Sequence, residues 1–135
     1  MIIFIDSVVW IGAKLKNDQW HHQSNTIIKQ FLEDSEKMVH INDYIVLETV
    51  NFLLRKGGFD TALSTLDLFL KHERITINHI TDKLLDQTYN IFTKYNGLSI
   101  TDASIVATMY QYGISKLYSF DGGFDKVPDI ERLYY

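Results

Sequence analysis

Short apolar runs alternate with helical periodicities along the whole chain. Ile2 to Ile5 is continuously apolar and reads as a strand buried on both faces. Met38 to Ile41, Ile75 to Asn78 and Leu117 to Phe120 read as three more, the last followed by a Gly-rich loop. Between them lie segments with helix spacing. One starts near Ser7 and carries Val8, Val9 and Ile11. Ser24 to Glu33 sets Ile27, Ile28, Phe31 and Leu32 on one side. Asn42-Asp43 can cap a helix that runs to about Lys56 and stops at Gly57, and Asp60 to about His72 forms the next. Thr81 opens a helix closed by Gly97, with Ile80 and Leu85 spaced as a hydrophobic staple. Thr101 caps another, closed by Gly113. Buried strands separated by helices predict an α/β fold, a central parallel sheet flanked by helices. Sites in such sheets form beyond the carboxyl ends of the strands.

Two helices have unusual faces. On the one after Asn42, Ile45, Val46, Leu47, Val50, Leu53 and Leu54 cover most of the circumference. A narrow polar sector remains, with Tyr44, Glu48, Asn51 and Arg55. It is either a solvated stripe or the lining of a cleft. From Asp60 to His72, Ala62, Leu66 and Phe69 share one direction and Leu63 and Leu70 a second. That arc is wider than one core-facing stripe needs. Either the helix is wedged between neighbours, or part of the arc is a patch that another chain covers.

The chain has 135 residues, 46% of them hydrophobic, which suits one globular domain. A single Pro and no Ser/Gly-rich linker give no sign of a boundary. No cysteine is present, so disulfides and thiolate metal sites are excluded. No basic leader precedes the first strand and no apolar run approaches membrane-spanning length. The expectation is a soluble, cytoplasmic protein with no membrane contact. The net charge of −4 is not the basic footprint usual for nucleic-acid binders. Setting aside Asp6, Glu48, Asp102, Asp121 and Asp125 as one acidic site leaves the rest of the chain close to neutral.

Those acids carry the candidate chemistry. Asp6 follows the first strand and Asp121 the last; each alone reads equally as a turn or cap. Asp102 is different. At 100° per residue it points with Ile105, Val106 and Met109, so a carboxylate sits on an apolar face in the first turn, where a charge needs a partner. Glu48 lies in the polar sector described above. Four carboxylates from separate elements suit hard cations such as Mg²⁺ or Mn²⁺. Two such ions can position an attacking water and stabilise the leaving oxygen in phosphodiester hydrolysis.

The residues around these acids resemble the PIN-domain nucleases, in particular the VapC-like toxins of toxin–antitoxin pairs. Ile3-Phe4-Ile5-Asp6-Ser7 is similar to the family's first motif, and Tyr44 to Glu48 with Leu53-Leu54-Arg55 to its second. Gly97-Leu98-Ser99-Ile100-Thr101-Asp102-Ala103 is similar to its third. Gly113-Ile114 through Leu117-Tyr118-Ser119-Phe120-Asp121, then Phe124, resembles its fourth. The four follow in order over essentially the whole chain. The resemblance implies a PIN-like three-layer sandwich and a Mg²⁺- or Mn²⁺-dependent endoribonuclease acting on RNA. It also implies a homodimer with a cognate antitoxin as partner. Asp6, Glu48, Asp102 and Asp121 would be its catalytic metal ligands, with Asp125 a candidate fifth. Ser7 and Ser119 would support them, and Arg55 would touch substrate phosphate. Two positions depart from the pattern. Val8 stands where many relatives have a small polar residue, and Gly123 where many have an acid.

The five histidines form no zinc-protease pair and read as surface or loop residues. No phosphate-cradling Gly-rich motif is present; Gly57-Gly58 and Gly122-Gly123 read as turns. A receiver-type phosphorylation domain would need an Asp ending a middle strand, which Ile75 to Asn78 lacks. Two other functions remain open at this point: a non-catalytic module on the same fold, and a free-standing RNA-processing nuclease without an antitoxin.

Overall fold

The computed structural model describes residues 1–135. Five strands form one parallel sheet in the order β3-β2-β1-β4-β5. They are β1 (Ile2–Ile5), β2 (Met38–Asn42), β3 (Ile75–Asn78), β4 (Lys116–Tyr118) and β5 (Glu131–Leu133). The central register pairs Ile3 with Val39 on one side and Phe4 with Leu117 on the other. Ile3, Phe4, Ile5, Val39, Ile41 and Leu117 are all fully buried, which requires layers on both faces.

Six helices supply those layers: α1 (Ser7–Lys14), α2 (His21–Glu33), α3 (Asp43–Gly57), α4 (Phe59–Lys71), α5 (Asp82–Lys94) and α6 (Ile100–Tyr112). α1 packs on α2 and α3, and α3 on α4, whereas α5 packs on α6. The chain steps from β1 to β2 to β3 in one direction and then crosses back to β4. Right-handed crossovers put α1 to α4 on one face and α5 with α6 on the other. The direction therefore reverses between β1 and β4, and that reversal defines where a site belongs. No helix is long and apolar enough to cross a membrane.

The structure corrects several sequence expectations. β4 ends at Tyr118, two residues short, because the chain then turns toward a 3₁₀ helix at Gly122–Lys126. A fifth strand follows, so the Gly-rich loop does not end the sheet. Glu131-Arg132-Leu133 has no apolar alternation, and only pairing with β4 makes it a strand. α6 is capped by Ser99, not Thr101, through a reciprocal box with Asp102. α5 stops at Lys94, and Gly97 serves the following turn at φ +101°. His40 is no surface histidine; it sits half-buried in β2 beside the Asn78 amide.

α3 is less enclosed than its composition suggests. Only Ile45, Thr49 and Leu53 are buried, while Leu47 and Leu54 are 60% and 48% exposed. The helix leans on α1 and α4 along one side and leaves the other outside. α4 divides its arc the same way. Ala62, Thr65 and Phe69 face the core, and Leu63 and Leu70 face outward. Gly58, at φ +91°, makes the tight turn between the two helices.

One long-range clamp closes the lower edge. The Arg74 guanidinium, just before β3, donates to the carbonyls of Phe31, Leu32, Asp34 and Lys37 at 2.8–3.1 Å. It lies over the Phe31 ring at 4.6 Å. Phe31 and Leu32 lie in the last turn of α2, where helix carbonyls lack partners, and Asp34 and Lys37 lie in the turn that follows.

Candidate active site

Asp6 leaves β1 at the reversal point and caps α1, accepting the Ser7 N–H on Oδ1 at 2.7 Å. Its other oxygen accepts the Ser119 hydroxyl at 2.8 Å, and Ser119 follows β4 next door. Ser119 Oγ in turn receives the Asp121 N–H at 3.1 Å, which fixes the loop carrying the fourth acid. Ser7 Oγ donates to Glu48 Oε2 at 2.7 Å and so ties α3 to the end of β1. Both serines are buried.

Asp102 arrives from the opposite face of the sheet. Its Oδ2 accepts the Ser99 N–H at 3.3 Å and Ser99 Oγ accepts the Asp102 N–H at 3.0 Å. This is a capping role, yet the same side chain stands half-buried within the field of Asp121 and Glu48. Asn42 aligns the two faces. Its amide donates to Ser104 and Thr108 of α6, and its carbonyl oxygen caps α3 at Ile45. The Glu48 helix and the Asp102 helix are thereby locked together.

The electrostatics are one-sided. Burial pushes the Asp6 carboxyl up to about 7, the Ser119 hydrogen bond opposes this, and Asp102 and Glu48 add repulsion. Burial also raises Asp102, opposed by Ser99 and assisted by Asp121 and Glu48. None of the four acids belongs to an ion pair. The four carboxylates repel one another, and Arg132 is a cation whose field reaches them, at Asp121.

The chemistry of the donors fits a hard divalent ion. No three of these side chains close into a finished coordination cage. Mg²⁺ commonly takes one or two carboxylates directly and keeps several waters, so the four would share an ion partly through its bound water. None of the four lines any of the three cavities of the molecule; Glu48 and Asp121 are exposed, Asp102 is half-buried and Asp6 is buried beneath them.

Asp125 does not join them. Both its oxygens are taken by Arg132, at 2.8 and 2.9 Å, and the pairing lowers its carboxyl below the ordinary range. Arg132 also donates to the Ser119 carbonyl and so braces the Asp121 loop from behind. Gly123 gives its N–H to Asp121 Oδ1; a Cβ there would lie 3.1 Å from that oxygen, so glycine leaves the acid room. Arg55 is exposed in the last turn of α3, its guanidinium 5.8 Å from the Phe52 ring centre. Phe120, between Ser119 and Asp121, stacks on Trp20 with ring centres 4.5 Å apart. Ser99, Asn42 and Arg132 were not singled out from the sequence as parts of the site. For Ser99 the Ser-x-x-Asp spacing was a usable signal; for Asn42 and Arg132 the partners are too distant in sequence to read.

The PIN domain family matches this chain over residues 3–130. Ribonuclease VapC13 of Mycobacterium tuberculosis is 39% identical over 76 residues. Those residues are 56% of this chain and 52% of that protein, so the match spans about half of the relative's length. The structure of VapC20 from Mycobacterium tuberculosis, described as a sarcin-ricin loop cleaving toxin, superposes with TM-score 0.81. It covers 93% of this chain and 95% of that one at 23% identity. VapBC2 of Rickettsia felis, solved bound to a DNA fragment from its promoter, gives TM-score 0.70 with 15% identity, covering 100% and 99%. At these identities the two structures speak for the fold, a parallel sheet between helical layers. A match over nearly the full length, on a fold that brings four carboxylates to the reversal point, places this chain in the PIN domain family.

Proposed function

We propose that this chain is a Mg²⁺- or Mn²⁺-dependent endoribonuclease and the toxin of a toxin–antitoxin pair, working in the cytoplasm. The observation that carries the reading is the set of four carboxylates at the reversal point that repel one another and form no ion pair. Asp6, Glu48, Asp102 and Asp121 would hold the metal. When bound, such ions activate water for attack on phosphorus and stabilise the departing oxygen. The chain's own part is orientation. Ser119 and the Ser7 N–H fix both Asp6 oxygens, and Ser7 Oγ sets the Glu48 carboxylate. Exposed Glu48 and Asp121 face the open edge where a long polymer can lie across the site. Arg55, about 10 Å along α3 from Glu48, would contact a phosphate at the rim.

The relatives named as VapC ribonucleases and the VapBC complex support the toxin assignment. A cognate antitoxin and a second copy of the chain are the proposed protein partners. The outward leucines Leu47, Leu54, Leu63 and Leu70 offer them an apolar face on α3 and α4. The deciding experiment is cleavage of RNA by the purified chain. Activity should appear with Mn²⁺ or Mg²⁺ and disappear with EDTA; RNA left intact in all three conditions would remove the ribonuclease assignment. A small reading frame directly upstream, whose product co-purifies with this chain, is the matching test for the antitoxin.

A further inference from the structure

The cavity of about 500 Å³ at the far ends of α1 and α3 lies outside the acidic site. Lys14, Lys16 and Lys56 line it together with Phe52, Thr61 and a single acid, Asp18. All three lysines are exposed and none belongs to an ion pair. Asp18 is already engaged, its Oδ1 accepting the Trp20 N–H at 2.8 Å. In a chain of net charge −4, three free cations around one hollow are a local reversal of sign. Lys14 and Lys56 sit in last turns, where the helix dipole alone would favour them. Lys16 lies beyond α1 and has no such reason to be there. The aromatic wall from Phe52 adds a surface on which an unpaired base can stack.

The hollow connects to the acids. α1 and α3 lie side by side and point the same way, joined at one end by Ser7 and Glu48 and at the other by Leu15 against Gly57. Helical rise from Ser7 to Lys14 and from Glu48 to Lys56 separates the two sites by about 10–12 Å. A single strand leaving the carboxylates along this pair of helices reaches the lysines within a few nucleotides.

We propose that this cavity is a second phosphate-binding subsite for single-stranded RNA, holding the backbone a few nucleotides from the bond to be cut. It rests on the ribonuclease reading of the acids and adds the part of the substrate that lies away from them.

The test measures binding of a fluorescein-labelled single-stranded RNA of about 16 nucleotides, in EDTA, across a salt series. The wild-type chain is compared with the triple variant Lys14→Gln, Lys16→Gln, Lys56→Gln. A control replaces Lys29, Lys83 and Lys94, exposed lysines elsewhere, with Gln. Each neutralised phosphate contributes about 0.7 to the slope of log affinity against log salt. The cavity variant should lose about 2 from that slope, and the control should keep the wild-type value. In cleavage with Mn²⁺ the cavity variant should raise KM and leave kcat unchanged, since these residues touch only a part of the strand a few nucleotides from the reacting bond. A wild-type slope in the cavity variant overturns the subsite while the ribonuclease reading stands. Unchanged RNA binding with loss of the co-purified antitoxin overturns it in favour of an acidic protein segment. A wild-type chain that neither binds nor cuts RNA removes both readings.

Discussion

Replacing Asp6 by Asn tests the electrostatic account of the site in a way that activity alone does not. Without metal, Asp6 titrates at about 7 in the folded chain against 3.8 for an ordinary carboxyl. Between those values the folded state holds a proton that the unfolded state has released, so stability falls as pH rises through this window. The full shift corresponds to roughly 4 kcal/mol, present as stability below pH 4 and lost above pH 7. Asn carries no charge to bury. It keeps an acceptor for the Ser7 N–H or the Ser119 hydroxyl but serves both less well, a loss of about 1 kcal/mol. The net gain at pH 8 in EDTA is then about 2–3 kcal/mol, and a chain of this size shifts its melting point by roughly 3–4 °C per kcal/mol. Thermal scans should place Asp6→Asn about 7–10 °C above wild type at pH 8, with the gap closing or reversing near pH 4. Saturating Mg²⁺ or Mn²⁺ should raise the wild type and narrow the gap, because the ions bind only its folded state. A gap that stays constant from pH 4 to 8 would show that Asp6 is not held under charge strain.

Glu48→Gln and Asp102→Asn should each reduce metal-dependent RNA cleavage to background while circular dichroism and melting stay close to wild type; near-normal turnover in either would remove that residue from the site. Ser119→Ala takes away the donor to Asp6 and the acceptor for Asp121, and should lower activity or metal affinity about 10- to 100-fold in a metal titration. Asn42→Ala deletes the cap of α3 and the link to α6. It should cost about 2–3 kcal/mol in urea unfolding and slow cleavage, and a loss below about 0.5 kcal/mol would mean that the link is not needed to align the two faces. Arg55→Ala should flatten the salt dependence of RNA binding by about 0.7; an unchanged slope would place this arginine outside the substrate path.

What could be read from the sequence follows the strength of each physical signal. From Ile3 to Ile5 β1 is buried on both sides, so its apolar run is unbroken and legible; β2 and the edge strand β3 keep Val39, Ile41, Ile75 and Ile77 as their signal, with His40 and Thr76 between them. β5 is a short edge strand with two of its three residues charged, and its strand character comes from β4 rather than from itself. The acids were visible because Asp102 interrupts an apolar face and Asp6 and Asp121 follow strands. Their mutual field was not, since it depends on three loops meeting at the reversal point. Leu47 and Leu54 misled for a related reason. Six apolar residues around α3 suggest an enclosed helix, whereas Leu47 and Leu54 face outward. The engagement of Asp125 by Arg132 spans a turn whose shape no local pattern announces.

Arg74 carries a consequence for how the chain is made. The carbonyls at the end of α2 and in the turn after it receive their cation from a residue 37 to 43 positions later. While only the first 73 residues have left the ribosome, α2 has an open end and β2 has no neighbour on its outer side. Completion of that edge therefore waits for Arg74 and β3, and a chain cut before residue 74 is an unfinished layer, not a smaller domain. Lysine could not stand in, because a single ammonium cannot spread its donors in one plane across Phe31, Leu32, Asp34 and Lys37 while stacking on the Phe31 ring.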